Sequence, residues 1–192
     1  MVAEGASILS DVVCELGEGP SYDPASGKLY WFDIVRKKLI EKKFPDGATI
    51  VHDLPFMASA IAMIDDGRQL IAAENGIYVR EVGTGALALH TALEADNALT
   101  RANDSRVHLS GAFWIGTMAK DEGAKAGAIY WFYKGELRTL YSEVSIPNSI
   151  CFSPDGTTAY FTGLISNTIQ RVDCDPATGL PRGETLPESS CG

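Results

Sequence analysis

Basic charge is scarce in this chain. Its 192 residues hold 16 lysines and arginines against 25 aspartates and glutamates, a formal net charge of -9 at pH 7. Binding a phosphate backbone needs clustered Lys and Arg. The longest basic run is Arg36-Lys37-Lys38, and Glu41 follows it closely, so nucleic acid is excluded as a partner. No apolar stretch approaches the ~20 residues of a membrane span, which excludes a helical membrane anchor. The start, Met1-Val-Ala-Glu-Gly-Ala6, lacks the basic and apolar regions of a secretory signal. Cys14, Cys151, Cys174 and Cys191 are widely spaced and never form C-x-x-C, so neither a zinc knuckle nor a disulfide framework is expected. A reducing cytoplasmic setting follows as the expectation.

Long amphipathic helices are also missing, as are the common hydrolase signatures G-x-S-x-G and H-E-x-x-H. His52, His90 and His108 have no metal-ligand spacing and read as loop or strand-surface residues. Gly83-Thr-Gly85 has no helix after it to bind a dinucleotide and reads as a hairpin turn. Asp173-Cys-Asp175-Pro-Ala-Thr-Gly179 starts like a calcium loop but has Ala177 and Thr178 where an oxygen ligand and a glycine belong. A turn after a strand fits it better.

What is present is a series of short β-rich runs between Gly, Pro, Asp and Asn, an all-β signature. Leu29–Asp33, Gln69–Ala73, Gly76–Arg80, Ala128–Tyr133, Ser149–Phe152, Ala159–Thr162 and Thr168–Val172 are such runs. Similar turns precede four of the apolar strands, with glycines at Gly27, Gly67, Gly111 and Gly156, at successive intervals of 40, 44 and 45 residues. Glycine takes the positive φ of the turn while Asp or Ser bonds the local backbone. Several strands per unit at a period of ~40–50 residues mark a β-propeller. A β-sandwich is the alternative architecture, but it does not call for regular recurrence. Four periods use up residues 1–192 as a single domain, and the stretch Leu180–Gly192 reads as lacking the strand that closes a propeller.

Three polar sites stand beside these repeats. Leu16-Gly-Glu18-Gly-Pro20 sets a carboxylate between two glycines. Arg101-Ala-Asn103-Asp104 groups a guanidinium, a carboxamide and a carboxylate just ahead of a strand that turns at Ser110-Gly111 into a second one, Phe113-Trp-Ile115. Ile146-Pro-Asn148 puts a carboxamide before Ile150-Cys-Phe152. Pre-strand positions in a propeller point toward its central channel, and Glu and Asn oxygens are hard ligands for Ca²⁺, Mg²⁺ or Mn²⁺. Plainer readings stand next to these: two turns, and an arginine paired with a nearby acid.

Taken together, Leu16–Pro20 with Leu29–Ile34, Arg101–Asp104 with Gly116-Thr-Met118, and Ile146–Asn148 with Phe152–Gly156 resemble the gluconolactonase, senescence-marker-protein-30 and regucalcin family in order and spacing. The resemblance runs from Leu16 to about Pro181. It implies a six-bladed propeller, of which about four blades are in this chain, that holds one divalent cation (Ca, Zn, Mn or Mg) and hydrolyses sugar lactones. Glu18 and Asn148 correspond to metal ligands. Arg101 and Asn103 correspond to substrate contacts, joined by Asp121 or, as second choice, Glu122; Asp104 and Ser110-Gly111 read as scaffold and turn. The family's third ligand, an aspartate that is also the expected general base, falls beyond residue 192. Gly163 stands where relatives often carry Asp, which implies a looser contact behind the site. Two further expectations accompany the lactonase reading. One is a non-catalytic calcium- or sugar-binding propeller; the other is a truncated product that self-associates through open sheet edges.

Overall fold

The computed structural model describes residues 5–164 and 168–183. Within them the regular elements are all β-strands, arranged as four antiparallel sheets. The first holds β1 (Gly17–Asp23), β2 (Lys28–Asp33), β3 (Lys38–Lys43) and β4 (Thr49–Asp53). The second holds β5 (Ala58–Met63), β6 (Arg68–Ala73), β7 (Gly76–Glu81) and β8 (Leu87–Ala92). The third holds β9 (Thr100–Val107), β10 (Phe113–Ala119), β11 (Gly127–Tyr133) and β12 (Glu136–Val144). The fourth holds β13 (Pro147–Phe152), β14 (Thr158–Gly163) and β15 (Thr168–Asp173). Each sheet is an up-and-down meander in chain order. The first strands β1, β5, β9 and β13 contact one another from sheet to sheet. These are successive blades of a β-propeller, with the first strand of each blade innermost. The part of Leu180–Gly192 past Gly183, read from sequence as lacking a closing strand, lies outside the described residues.

The core lies between the blades. Side chains on a strand alternate faces, so a strand covered on both sides reads as one continuous apolar run. β10, Phe-Trp-Ile-Gly-Thr-Met-Ala, is buried at every position. Phe113 and Ile115 face the second blade and pack with Ala60, Ala72 and Ile77. Trp114 faces the other way, among Ile150, Ala159 and Phe161 of the fourth. Its indole N–H donates to Gly179 O at 2.9 Å. The Trp114→Ala variant is therefore expected to lose about 3–5 kcal/mol of unfolding free energy, read by denaturant melts. Trp114→Phe should lose less, because the ring volume is partly kept.

Polar seams join the blades as well, and they correct the reading of the histidines. His108 is 2 % exposed rather than a surface residue. Ser110 N donates to its Nδ1 at 3.0 Å, leaving Nε2–H to donate to Gly156 O at 2.9 Å. A Cβ at Gly156 or Gly179 would stand 2.8 or 2.9 Å from the imidazole. The turn glycine of one blade thus makes room for the histidine of the blade before it. His52 on β4 is half-buried and lies 3.3 Å from Glu41 and 3.4 Å from the buried Arg80 of the second blade. His90 is exposed on β8, as expected.

Asp33 fastens the segment that enters β1. Its buried carboxylate accepts the backbone N–H groups of Glu15 at 2.9 Å and of Leu16 and Arg36 at 3.3 Å. Burial pushes its pKa up, but these donors and the Arg36 charge outweigh burial and hold it below the usual 3.8. A carboxyl lowered by folding contributes stability that is present above its unfolded pKa and is lost as pH falls through the lower folded value. Asp33→Asn should therefore destabilise the chain at pH 7, by about 1–3 kcal/mol for the lost acceptor. The gap from the unaltered chain should narrow as pH drops below 3.8, in paired melts across that range.

Candidate functional site

The innermost strands share an irregularity. β1 breaks register with β2 between Glu18 and Ser21, and β5 with β6 between Ala58 and Ala60. β9 breaks register with β10 between Ala102 and Ser105, and β13 with β14 between Asn148 and Cys151. A bulge kinks its strand and re-aims the side chains there. Glu18, Arg101, Asn103 and Asn148 therefore lie inside the inner strands, at or beside bulges, and not ahead of the strands as their motifs suggest. Their polarity hides the strand pattern, because an inner strand borders a solvated channel.

The bulges touch in sequence around the channel. Gly19 (φ 63°) packs on Ser59, whose carbonyl would lie 2.0 Å from any Cβ placed there. Ser59 Oγ in turn donates to Asn103 O at 2.7 Å. Asn103 Nδ2 donates to Pro147 O at 3.0 Å, and Asp104 Oδ2 accepts Ile150 N–H at 2.6 Å. Gly116 is required behind this last pair, since a Cβ there would fall 2.7 Å from Asp104 O and 2.9 Å from Pro147 Cγ.

A cavity of about 480 Å³ opens against β1, β5 and β9, with Glu18, Tyr22, Ile61, Asp104 and Arg106 in its lining and Arg101, Asn103 and Asn148 outside it. The Glu18 carboxylate is exposed. It makes no hydrogen bond or ion pair among the described residues, and the same is true of the half-buried Asn148 carboxamide. Arg101 is held by its own strand: Nη1 donates to Ala102 O and to Asn103 Oδ1, both at 2.9 Å. Burial lowers its pKa, while Glu18 and Glu122 oppose that shift. No ion pair forms at Arg101 among the described residues, and its remaining N–H groups are free there. Asn103 is buried with both ends of its amide engaged. Asp121 is exposed and accepts Gly123 N–H within its own turn at 3.0 Å. Of the two acids after Gly-Thr-Met118, it is Glu122 whose charge reaches Arg101.

The donor set suits a hard cation in kind, being carboxylate and carboxamide oxygen with no thiolate or imidazole. It is short in number, since Ca²⁺ takes 6–8 oxygen ligands. Among the described residues no group of three or more His, Cys, Asp or Glu could hold a metal. Among the described residues no helix is long and apolar enough to cross a membrane.

Residues 16–187 match the model of the SMP-30/Gluconolactonase/LRE-like region. This chain belongs to the SMP-30/gluconolactonase/LRE-like family. A family relative from Rhizobium meliloti (strain 1021), named as a candidate sugar lactone lactonase, is 47% identical over 178 residues, covering 93% of this chain and 60% of its own. The pentonolactonase XacC of Haloferax volcanii is 31% identical over 173 residues, covering 88% of this chain and 57% of its own. The crystal structure of a calcium-binding protein, regucalcin, from Agrobacterium tumefaciens superposes with a TM-score of 0.90 at 49% identity, covering 92% of this chain and 60% of that one. This member of the SMP-30/gluconolactonase family thus spans about 60% of the length of relatives it matches.

Two residues beside this family member's channel escape assignment to the site from sequence. Ser59 sits in a run of small residues, Ala58-Ser-Ala60, that holds no motif. Asp104, which reads as scaffold, lines the cavity. Burial first, and then the Glu18 charge, raise its pKa from the usual value. At Gly163 the backbone is packed: it pairs with Pro147, and a Cβ there would stand 3.1 Å from Ser145 O.

Proposed function

We propose that the channel of this chain serves the hydrolysis of sugar lactones, a carboxylic ester hydrolysis, with one divalent cation held in part by Glu18 and Asn148. The observation that carries this reading is the pair of hard donors without a partner among the described residues, Glu18 and Asn148, on inner strands that also present a positioned guanidinium. The lactonase names among its relatives support the substrate class. A bound cation supplies Lewis-acid polarisation of the lactone carbonyl. Arg101, fixed through Nη1, offers its other N–H groups to the oxygens of the sugar ring, and a fixed fork of donors orients such a substrate at little further entropic cost. Asn103 serves as the brace that aims Arg101, and Asp121 leaves one carboxylate oxygen for a substrate hydroxyl. The described residues assign no general base.

The test is a panel of aldonolactones assayed before and after EDTA, with Ca²⁺, Zn²⁺, Mn²⁺ and Mg²⁺ restored one at a time. Turnover should vanish on chelation and return with one cation above the others. Turnover unchanged by EDTA overturns the metal assignment, and no turnover of any lactone overturns the reaction. A calcium-binding role without catalysis is the second reading, favoured by the 49%-identical calcium-binding structure. Calorimetric cation binding without lactone turnover would select it.

A further inference from the structure

We infer that Asn103 and Asp104 are positioning residues, a two-point clamp from the third blade that sets the backbone of the fourth so that Asn148 faces the channel. This rests on the reading of Asn148 as a cation ligand. Asn148 lies between the two clamped points, Pro147 O on one side and Ile150 N on the other. The segment needs holding: Ile146 (φ 49°) and Ser149 (φ 59°) both take left-handed backbone that β-branched and ordinary side chains disfavour. Such conformations persist where their surroundings over-determine them. Strand pairing cannot do this alone, because β13 leaves register with β14 between Asn148 and Cys151. Asn103 and Asp104 span this gap from the neighbouring blade. They are themselves fixed, Asn103 by Arg101 and by the Ser59 bond to its carbonyl, Asp104 by the close pass over Gly116. The two adjacent side chains reach opposite ends of one bulge, one as donor and one as acceptor. Hydrogen bonds behind a ligand orient it, and losing them lowers metal affinity by about 10–100-fold.

The test compares Asp104→Asn, Asp104→Ala, Asn103→Ala and Ser105→Ala in the full chain. Calcium or manganese binding is measured by calorimetry, and the Ile150 amide is followed by NMR hydrogen exchange. Asp104→Asn and Asp104→Ala remove the same charge, but only Asp104→Ala removes the oxygen that accepts Ile150 N–H. Asp104→Ala should therefore bind the cation about tenfold more weakly than Asp104→Asn and lose Ile150 protection. Asn103→Ala should weaken binding similarly, whereas Ser105→Ala, which removes only the bond its Oγ donates to Asn103 O at 3.1 Å, should not. Equal affinity in the two Asp104 variants with Ile150 protection unchanged overturns the clamp. If Asp104→Ala does not fold, the Asn103→Ala and Ser105→Ala pair decides, and equal affinities there overturn it. If the unaltered chain binds no cation while Ile150 protection still depends on Asp104, the ligand reading of Asn148 fails and the inter-blade bond alone stands.

Discussion

Replacing Glu18 with glutamine is expected to lower lactone turnover at least about 100-fold while leaving thermal stability unchanged. Substitutions behind metal ligands cost about 10–100-fold, so loss of a charged ligand belongs at or above the upper end. The carboxylate is exposed and unbonded among the described residues. Surface substitutions of that kind stay within about 0.5 kcal/mol, or about 1–2 °C in melting temperature for a chain of this size. Asn148→Ala should share the loss of turnover with little change in stability, since its carboxamide also makes no hydrogen bond among the described residues. Rates and melts on both variants give the answer. A fall in melting temperature parallel to the fall in rate would make Glu18 structural, and unchanged turnover in both variants would sink the assignment.

A large stability effect is also expected at Gly19. An alanine there meets Ser59 O at 2.0 Å, a backbone atom that cannot swing aside, and must also hold φ at 63°. Left-handed backbone costs an alanine about 1–2 kcal/mol, and the clash adds to it, so about 3 kcal/mol or more should be lost. That corresponds to a drop of about 6–12 °C in melting temperature. Gly27 provides the control, because its φ is 67° and a Cβ placed there would meet nothing within 4 Å. Gly27→Ala should show the backbone cost alone, about 1–2 kcal/mol. The difference between the two variants measures the contact between the first and second blades. Equal melting temperatures would mean that the inner bulges do not bear on one another.

The strands that read clearly from sequence are those with both faces covered. Phe113–Ala119 and Gly127–Tyr133 are apolar at almost every position because the third sheet packs between the second and the fourth, whereas Lys28–Asp33 buries Tyr30 and Phe32 against the second sheet. Outer strands such as Thr49–Asp53 and Leu87–Ala92 are largely exposed and carry no such signal. Asn103 and Asp104 are visible as polar residues, but nothing local shows whether a polar side chain faces a ligand or a neighbouring backbone. His108 reads wrongly for the same reason, since its partners Gly156 and Gly179 lie one blade further along the chain.

By itself, then, the sequence determined the repeat, the blade architecture, the family and the oxygen-donor chemistry of the candidate site residues. Turn glycines, strand periodicity and donor chemistry are written in neighbouring residues. Only the tertiary structure decided how Glu18, Arg101 and Asn148 are held, and that Asn103 and Asp104 serve the next blade. Those outcomes depend on bulges packed across blade boundaries, between residues some 44 to 46 positions apart.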